Sequence, residues 1–254
     1  MDKESFFNMF VNQDQTSLYS VFNDVISAET SNYPVISKDF LTPDIWGTIL
    51  DCKDKLGINA KAYGVFEEAE RRVLIFNSKE NYGLNLVKVE NNNKFISLSH
   101  RDYLGGVLSL GIKREKLGDF ILKDNICYFP CKEEISDYLS DNIKVIGNTK
   151  VNVSLIDKEA VSLVNVDYDD MVIEVPSLRL DSIVSEITKS SRSEGVNLIR
   201  RGLVLYNYSE AEDKSRIISL NSVITVRGYG KYKIADEIGK TKKGNLKIYI
   251  KKYK

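Results

Sequence analysis

Arg179-Leu180-Asp181-Ser182-Ile183-Val184-Ser185-Glu186-Ile187, then Ser191-Arg192-Ser193, and finally Arg200-Arg201-Gly202, form the stretch on which the reading of this chain turns. Leu180, Ile183, Val184 and Ile187 recur at three- and four-residue intervals, the spacing of one apolar face of a short helix. Ser191 or Ser193 can cap a second helix, Val196, Leu198 and Ile199 supply its inner face, and Gly202 ends it. Two cations in a last turn suit the helix dipole, so Arg200 and Arg201 have a structural reason to stand there. After Gly202, the runs Leu203–Asn207, Ile217–Leu220 and Val223–Arg227 read as short strands of a meander.

Charge singles out the same region. The chain of 254 residues carries 36 basic and 36 acidic side chains, yet from Ser177 onward there are 17 basic against 8 acidic, a balance of +9. The residues before Ser177 therefore balance at −9. A cationic module attracts polyanions, and an acidic body limits indiscriminate coating of nucleic acid. Solvated surface charge is the plainer explanation, and charge alone does not exclude it.

Upstream, Thr16 or Ser17 can cap a helix carrying Leu18, Val21, Phe22, Val25 and Ile26, and Thr42-Pro43-Asp44 marks a second helix start. Strand-like runs follow at Ile58–Phe66 and Val73–Phe76. The middle region predicts a strand at Phe95–Leu98, a helix from Ser99 to Leu110, and a hairpin of Phe120–Lys123 with Ile126–Pro130. A helix over Lys132–Asp141 and a strand over Val151–Ile156 complete a split βαβ, ferredoxin-like order that RNA-binding sheets also use. Phe95, Tyr128 and Phe129 are candidates for stacking bases. Tyr128 and Phe129, being adjacent on a strand, face opposite sides, so at least one is core. Val161–Val175 is strand-rich, and Pro176 breaks it.

The expected fold is α+β in three small domains: an N-terminal α+β domain (1–80), a ferredoxin/RRM-like βαββαβ middle domain (81–176), and a basic C-terminal domain (177–254). No run nears the about 18 apolar residues of a membrane span, and Met1-Asp2-Lys3-Glu4 does not open a signal peptide, which predicts a cytoplasmic protein with no membrane partner. Cys52, Cys127 and Cys131 lack the spacing of a disulfide framework or of a zinc site, so neither metal nor cofactor is expected.

The C-terminal residues Arg179-Leu180-Asp181, Ser191-Arg192-Ser193, Leu198-Ile199, Gly202, Val204 and Asn207 resemble the S4-type RNA-binding domain. The chain departs from that pattern at Gly195, where alanine is usual, at Tyr208, where glycine is usual, and at Asn221-Ser222 in place of a Gly-Asp turn. Gly64-Val65-Phe66-Glu67-Glu68-Ala69-Glu70-Arg71, His100-Arg101-Asp102-Tyr103-Leu104-Gly105, the stretch from Leu110 to Asp119, and Arg227-Gly228-Tyr229-Gly230-Lys231-Tyr232 together resemble the YlmH family of bacterial ribosome-associated proteins. That resemblance implies three domains, with an RNA-binding middle domain and a C-terminal S4-type domain. It also implies binding to large-subunit ribosomal RNA and to tRNA, in quality control of stalled translation.

An S4-type domain offers two helix starts and the cations between them to folded RNA, where guanidinium groups pair with phosphates. The candidate RNA contacts are Arg192 above all, with Arg179, Lys189, Ser191, Ser193, Arg200 and Arg201, and further Arg101 in the middle domain and Lys231 in the tail. Asp181 would repel phosphate, so its expected role is to orient Arg179 or to cap the helix; His100 and Asp102 are supporting residues at a helix start. No nucleophile, base and cofactor loop can be assembled, so no catalytic residue is named and no small-molecule substrate is expected. His100-Arg101-Asp102 lacks the other kinase motifs. The alternative is an RNA-modifying enzyme or accessory factor, of the pseudouridine synthase or methyltransferase class, that uses an S4-type domain for substrate binding. A monomer is expected.

Overall fold

A computed structural model of the chain describes residues 2–10, 15–93, 95–157 and 168–253, with backbone alone at 15–17. It divides into two compact units, Met1–Asn165 and Val166–Lys254. Helices and antiparallel sheets are mixed in both, an α+β architecture.

The first unit opens with α1 (Lys3–Phe7), α2 (Gln15–Thr30), β1 (Val35–Ile36), α3 (Pro43–Cys52), β2 (Ala60–Tyr63) and β3 (Val73–Phe76), the strands ordered β1-β3-β2. Val21 and Val25 of α2 and Ile45 and Ile49 of α3 bury against Leu74 and Phe76. Thr42 precedes α3 and Pro43 takes its first turn, as its sequence predicts, although the Thr42 hydroxyl makes no capping bond. The proposed caps Thr16 and Ser17 lie outside the residues whose side chains are described. Every residue of β3 is buried; Val73 and Ile75 pack with Phe40 and Leu84, joining this sheet to the next.

That next sheet is built from β4 (Leu84–Asn91), β5 (Ile121–Lys123), β6 (Ile126–Lys132), β7 (Val145–Ile146) and β8 (Thr149–Ile156), in the order β5-β6-β4-β8-β7, with α4 (His100–Leu108) and α5 (Glu133–Asn142) in the connections. The first strand is Leu84–Asn91, where Phe95–Leu98 was expected. Asn91 and Asn93 accept the N–H groups of Asn93 and Phe95 at 2.8 and 2.9 Å, side-chain turns that end the extended run before it reaches Phe95. Phe95 is consequently 98% exposed. Phe129 is buried with Tyr103, Val107 and Leu139, and Tyr128, half-buried, takes the other side of β6.

The second unit contains β9 (Tyr168–Val175), α6 (Leu180–Ile187), α7 (Arg192–Arg200), β10 (Val204–Tyr206), β11 (Ser209–Glu210), β12 (Val223–Val226), β13 (Gly230–Lys240) and β14 (Leu246–Tyr253). One six-stranded antiparallel sheet, β11-β10-β12-β13-β14-β9, packs Val204, Ile224, Ile234, Ile248 and Ile250 on Leu180, Ile183, Val184 and Leu198 of the helices. Because β9 pairs with β14 over eight residues, the strand before Pro176 belongs to this unit, and the division falls at 165/166 where Pro176 was expected to mark it. Of the strand-rich run Val161–Val175, residues 161–167 lie outside the described residues. The shifted boundary adds Asp167, Asp169, Asp170 and Glu174, so the unit carries 17 basic and 12 acidic residues, or +5.

Ile217–Leu220 is not a strand, and Ile217 is 63% exposed. The chain ahead of it is held elsewhere: the carbonyls of Arg216 and Lys214 accept the N–H groups of Leu180 and Asp181 at 2.9 and 3.0 Å, satisfying the start of α6.

At Gly195, α7 lies against α6 so closely that a Cβ would sit 3.0 Å from the Asp181 carbonyl oxygen and 3.2 Å from the Ser185 nitrogen. Glycine costs a helix about 1 kcal/mol relative to alanine. Here the neighbouring atoms are backbone and cannot step aside, so overpacking of about 1–3 kcal/mol outweighs the propensity gain. Gly195→Ala is therefore expected to lower the urea midpoint of the protein; a raised midpoint would show that the helix pair yields.

Candidate nucleic-acid interface

The loop between α6 and α7 is built tightly. Lys189 and Ser190 donate their N–H groups to the Glu186 and Ser185 carbonyls at 3.1 and 2.9 Å, which closes α6 with Lys189 at φ +52°. Glycine usually occupies that left-handed position, and a lysine there costs roughly 1–2 kcal/mol. Ser191 then caps α7, its Oγ accepting the Glu194 N–H at 3.2 Å. The N–H groups of Arg192 and Ser193, in the first turn, donate to no protein acceptor among the described residues.

Asp181 is the centre of the site. Its carboxylate, 3% exposed, takes two bonds from Arg179, Nε at 3.1 Å and Nη2 at 3.0 Å. It takes three from Arg192, Nε at 3.2 Å and Nη2 at 3.3 and 3.1 Å. Burial alone would raise the carboxyl's pKa; the hydrogen bonds from Arg179 and Arg192 outweigh it and hold the group below the ordinary aspartate value. Both guanidinium groups are gripped through one edge, and their side chains remain 33% and 55% exposed. Each keeps Nη1 without a partner among the described residues. Two cations on one anion leave a net positive fork of fixed geometry, suited to a phosphate.

The structure thus brings together Arg179, Asp181 and Arg192, with Lys189, Ser191 and Ser193, all exposed, on the adjoining loop and turn. The Asp181 carboxylate holds Arg179 by hydrogen bonds, and Arg192 as well. Only one helix start is open where two were expected, since the carbonyls of Lys214 and Arg216 occupy that of α6. Those two exposed cations adjoin the cluster and were missed; Lys214-Ser215-Arg216 in a loop was the signal. Arg200 and Arg201 are exposed at the far end of α7, roughly 12 Å along its axis from Arg192. Lys231 stands on β13, its ammonium 4.8 and 4.9 Å from the rings of Tyr208 and Tyr253.

In the first unit, Ser99 and Asp102 form a reciprocal cap on α4: the Ser99 N–H donates to Asp102 at 2.8 Å and the Asp102 N–H to Ser99 at 3.3 Å. Asp102 is thus engaged at the helix start, and Arg101 beside it is exposed. His100 lies edge-on to Phe120, 5.8 Å between centroids, with burial and the nearby Arg114 lowering its pKa. The stretches 64–71 and 110–119 meet at Asp119, whose Oδ2 accepts the N–H groups of Glu70 and Arg71. Arg71 and Arg114 both donate to the Leu117 carbonyl, at 3.3 and 2.7 Å. That junction ties the two sheets of the unit together.

Among the described residues no group of His, Cys, Asp and Glu is arranged to hold a metal. Cys127 and Cys131 are buried free thiols, and burial pushes the Cys131 pKa up to about 12.

Residues 77–160 match the family described as "Putative RNA-binding domain in YlmH". Over 222 residues, 85% of this chain and 86% of the relative, the sequence is 26% identical to the ribosome-associated protein quality control protein P2 of Bacillus subtilis (strain 168). The chain is similar to the YlmH family. In fold it is also similar to the cell division protein ylmH from Streptococcus pneumoniae, with a TM-score of 0.50 at 17% identity over 59% of this chain and 95% of that one. The matched segment 77–160 takes in β4 through β8, so the relationship embraces the whole five-stranded sheet and its two helices. No helix among the described residues is long and apolar enough to cross a membrane.

Proposed function

We propose that this chain is a noncatalytic, cytoplasmic RNA-binding protein of ribosome-associated quality control, which acts as a monomer on large-subunit ribosomal RNA and tRNA. In this reading residues 177–254 form an S4-type domain, joined by β9 to the sheet, and the middle sheet is a ferredoxin/RRM-like RNA-binding domain with Arg101 at its helix start. The observation that carries it is the pair Arg179 and Arg192 clamped by buried Asp181 beside the open start of α7. Such a fork contacts phosphate without reorganising, and needs neither nucleophile nor cofactor. The relative's name, which places that protein on the ribosome in quality control, supports the partner.

Co-sedimentation with purified large subunits tests the reading. Binding is expected to weaken steeply between about 50 and 200 mM salt, as phosphate contacts do. Arg192→Ala is expected to weaken it about tenfold, one charge-assisted contact, with the circular dichroism spectrum unchanged. Association that ignores salt, or none at all, defeats the proposal.

A further inference from the structure

The sheet of the second unit has a face that neither helix covers. Along β14, Ile248 and Ile250 point into the core, so Lys247, Tyr249, Lys251 and Tyr253 occupy the opposite side. Their partners in register on β9 are Glu174, Val172, Asp170 and Tyr168. On β13, Tyr232 and Ile234 are core, which puts Lys231 and Lys233 on that same outer face. The Lys231 ammonium lies 4.8 Å from the ring of Tyr208 and 4.9 Å from that of Tyr253. Tyr253 meets Tyr168 edge-on at 5.0 Å, and Lys251 covers Tyr168 at 5.1 Å. The result is a continuous row of rings and ammonium groups: Tyr208, Lys231, Tyr253, Tyr168, Lys251.

We propose that this tyrosine–lysine row is a second RNA-binding surface, one that takes unpaired bases rather than folded RNA. Tyrosine rings stack any base, and lysines beside them attract the phosphates between successive bases, the chemistry of sequence-tolerant single-strand binding. Charge favours this occupant. Lys233 and Lys251 stand directly opposite in register, which concentrates positive charge beside the rings. Four lysines face three carboxylates here, Asp170 and Glu174 on β9 and Asp236 opposite Tyr249 on β13. Val172, 51% exposed beside Tyr249, extends the apolar floor. The ordinary explanation, a solvated sheet face with cross-strand pairs, accounts for Lys247 with Glu174 and Lys251 with Asp170. It does not account for the continuous ring-and-cation row. The inference is separate from the Arg192 surface, which lies on the helices.

Fluorescein-labelled octauridylate, followed by anisotropy with the full chain at about 50 mM salt, tests it. Replacing Tyr168 and Tyr253 together with alanine is expected to weaken binding about tenfold, and with phenylalanine to leave it within about twofold, since the rings remain. Lys233→Glu, which keeps every ring, is expected to weaken it at least about fivefold, and decides the matter if the double alanine variant does not fold. Because the Arg192 fork can also hold phosphate, the same variants are compared in an Arg192→Ala background, where the alanine pair and Lys233→Glu are expected to weaken octauridylate binding by the same factors, so this surface reads out independently of the Arg192 site. No binding of octauridylate, or binding that neither the alanine pair nor Lys233→Glu alters, overturns the proposal.

Discussion

Asp181→Ala is expected to weaken RNA binding more than removing either arginine singly, by well over about tenfold, and to cost about 2–4 kcal/mol of stability. The carboxylate accepts five hydrogen bonds from the two arginines and one from the Ser182 hydroxyl, and Asp181 is 3% exposed, whereas the arginines reach solvent. Without it the guanidinium groups repel each other and regain their rotamer freedom, so the fork must be reassembled on each encounter with phosphate. Asp181→Asn keeps the shape and loses the charge, and is expected to fall between the two. Urea unfolding and anisotropy with a folded RNA measure the two effects. The triple variant lacking Asp181, Arg179 and Arg192 is expected to be no weaker in binding than the double arginine variant, because residues of one network do not add. An alanine variant that binds as tightly as the parent would reduce Asp181 to a helix-start residue. The acid side follows from the same bonds. The folded carboxyl titrates below its unfolded value, so its contribution is present above the unfolded pKa and is lost as pH falls through the folded one.

Much of this site is legible in the sequence, because its signals are local. The spacing of Leu180, Ile183, Val184 and Ile187 places Asp181 at a helix start, and Ser191 marks the next start ten residues on. That Asp181 grips Arg192 across the loop was not legible, since it depends on the close approach of α6 and α7 at Gly195. Nor was the closing of the α6 start by Lys214 and Arg216: the partners are more than thirty residues apart, and the loop's apolar run Ile217–Leu220 imitates a strand. The left-handed turns show the opposite case. Tyr208 and Asn221 adopt φ of +72° and +63°, so they keep the backbone that glycine would favour although the residue differs.

Strand patterning in the sequence misleads where composition and context compete. Phe95-Ile96-Ser97-Leu98 is as β-prone as Leu84–Asn91, but the asparagines ahead of it turn the chain, and only pairing with β6 and β8 shows which run is central. Pro176 misleads as a boundary for a related reason. Proline does end β9, yet the strand's acidic residues find the lysines of β14, with Glu174 opposite Lys247 and Asp170 opposite Lys251. A charge count along the chain separates the very residues that the fold pairs, so the +9 of the sequence becomes +5 in the folded unit.

The first unit offers the other large effect, and it is a gain. Asp24 on α2 is 7% exposed, and its Oδ2 has no hydrogen-bond partner among the described residues. Burial raises its pKa to about 6 despite a backbone bond from Lys38 and the charges of Lys38 and Lys132. Lys132, itself buried, donates instead to the Ser37 carbonyl at 2.9 Å, so among the described residues no salt bridge offsets the buried carboxylate. A folded pKa above the unfolded value near 3.8 means that the neutral acid is the form the fold prefers. Its stabilisation is whole below about pH 4 and is lost as pH rises to about 6, amounting to about 3 kcal/mol at most by neutrality. An asparagine in place of Asp24 keeps the shape of the neutral acid at every pH; its amide brings donors that need acceptors, which trims the gain. Asp24→Asn is therefore expected to stabilise the protein by about 1–2 kcal/mol at about pH 7.5 and to be nearly neutral at about pH 4. The difference between variant and parent, followed by urea unfolding from about pH 4 to about pH 7.5, should open along the titration of a single group. A variant less stable than the parent at the upper end of that range would mean that Asp24 is ionised and held by Lys38 and Lys132, with the sign of its pKa shift reversed.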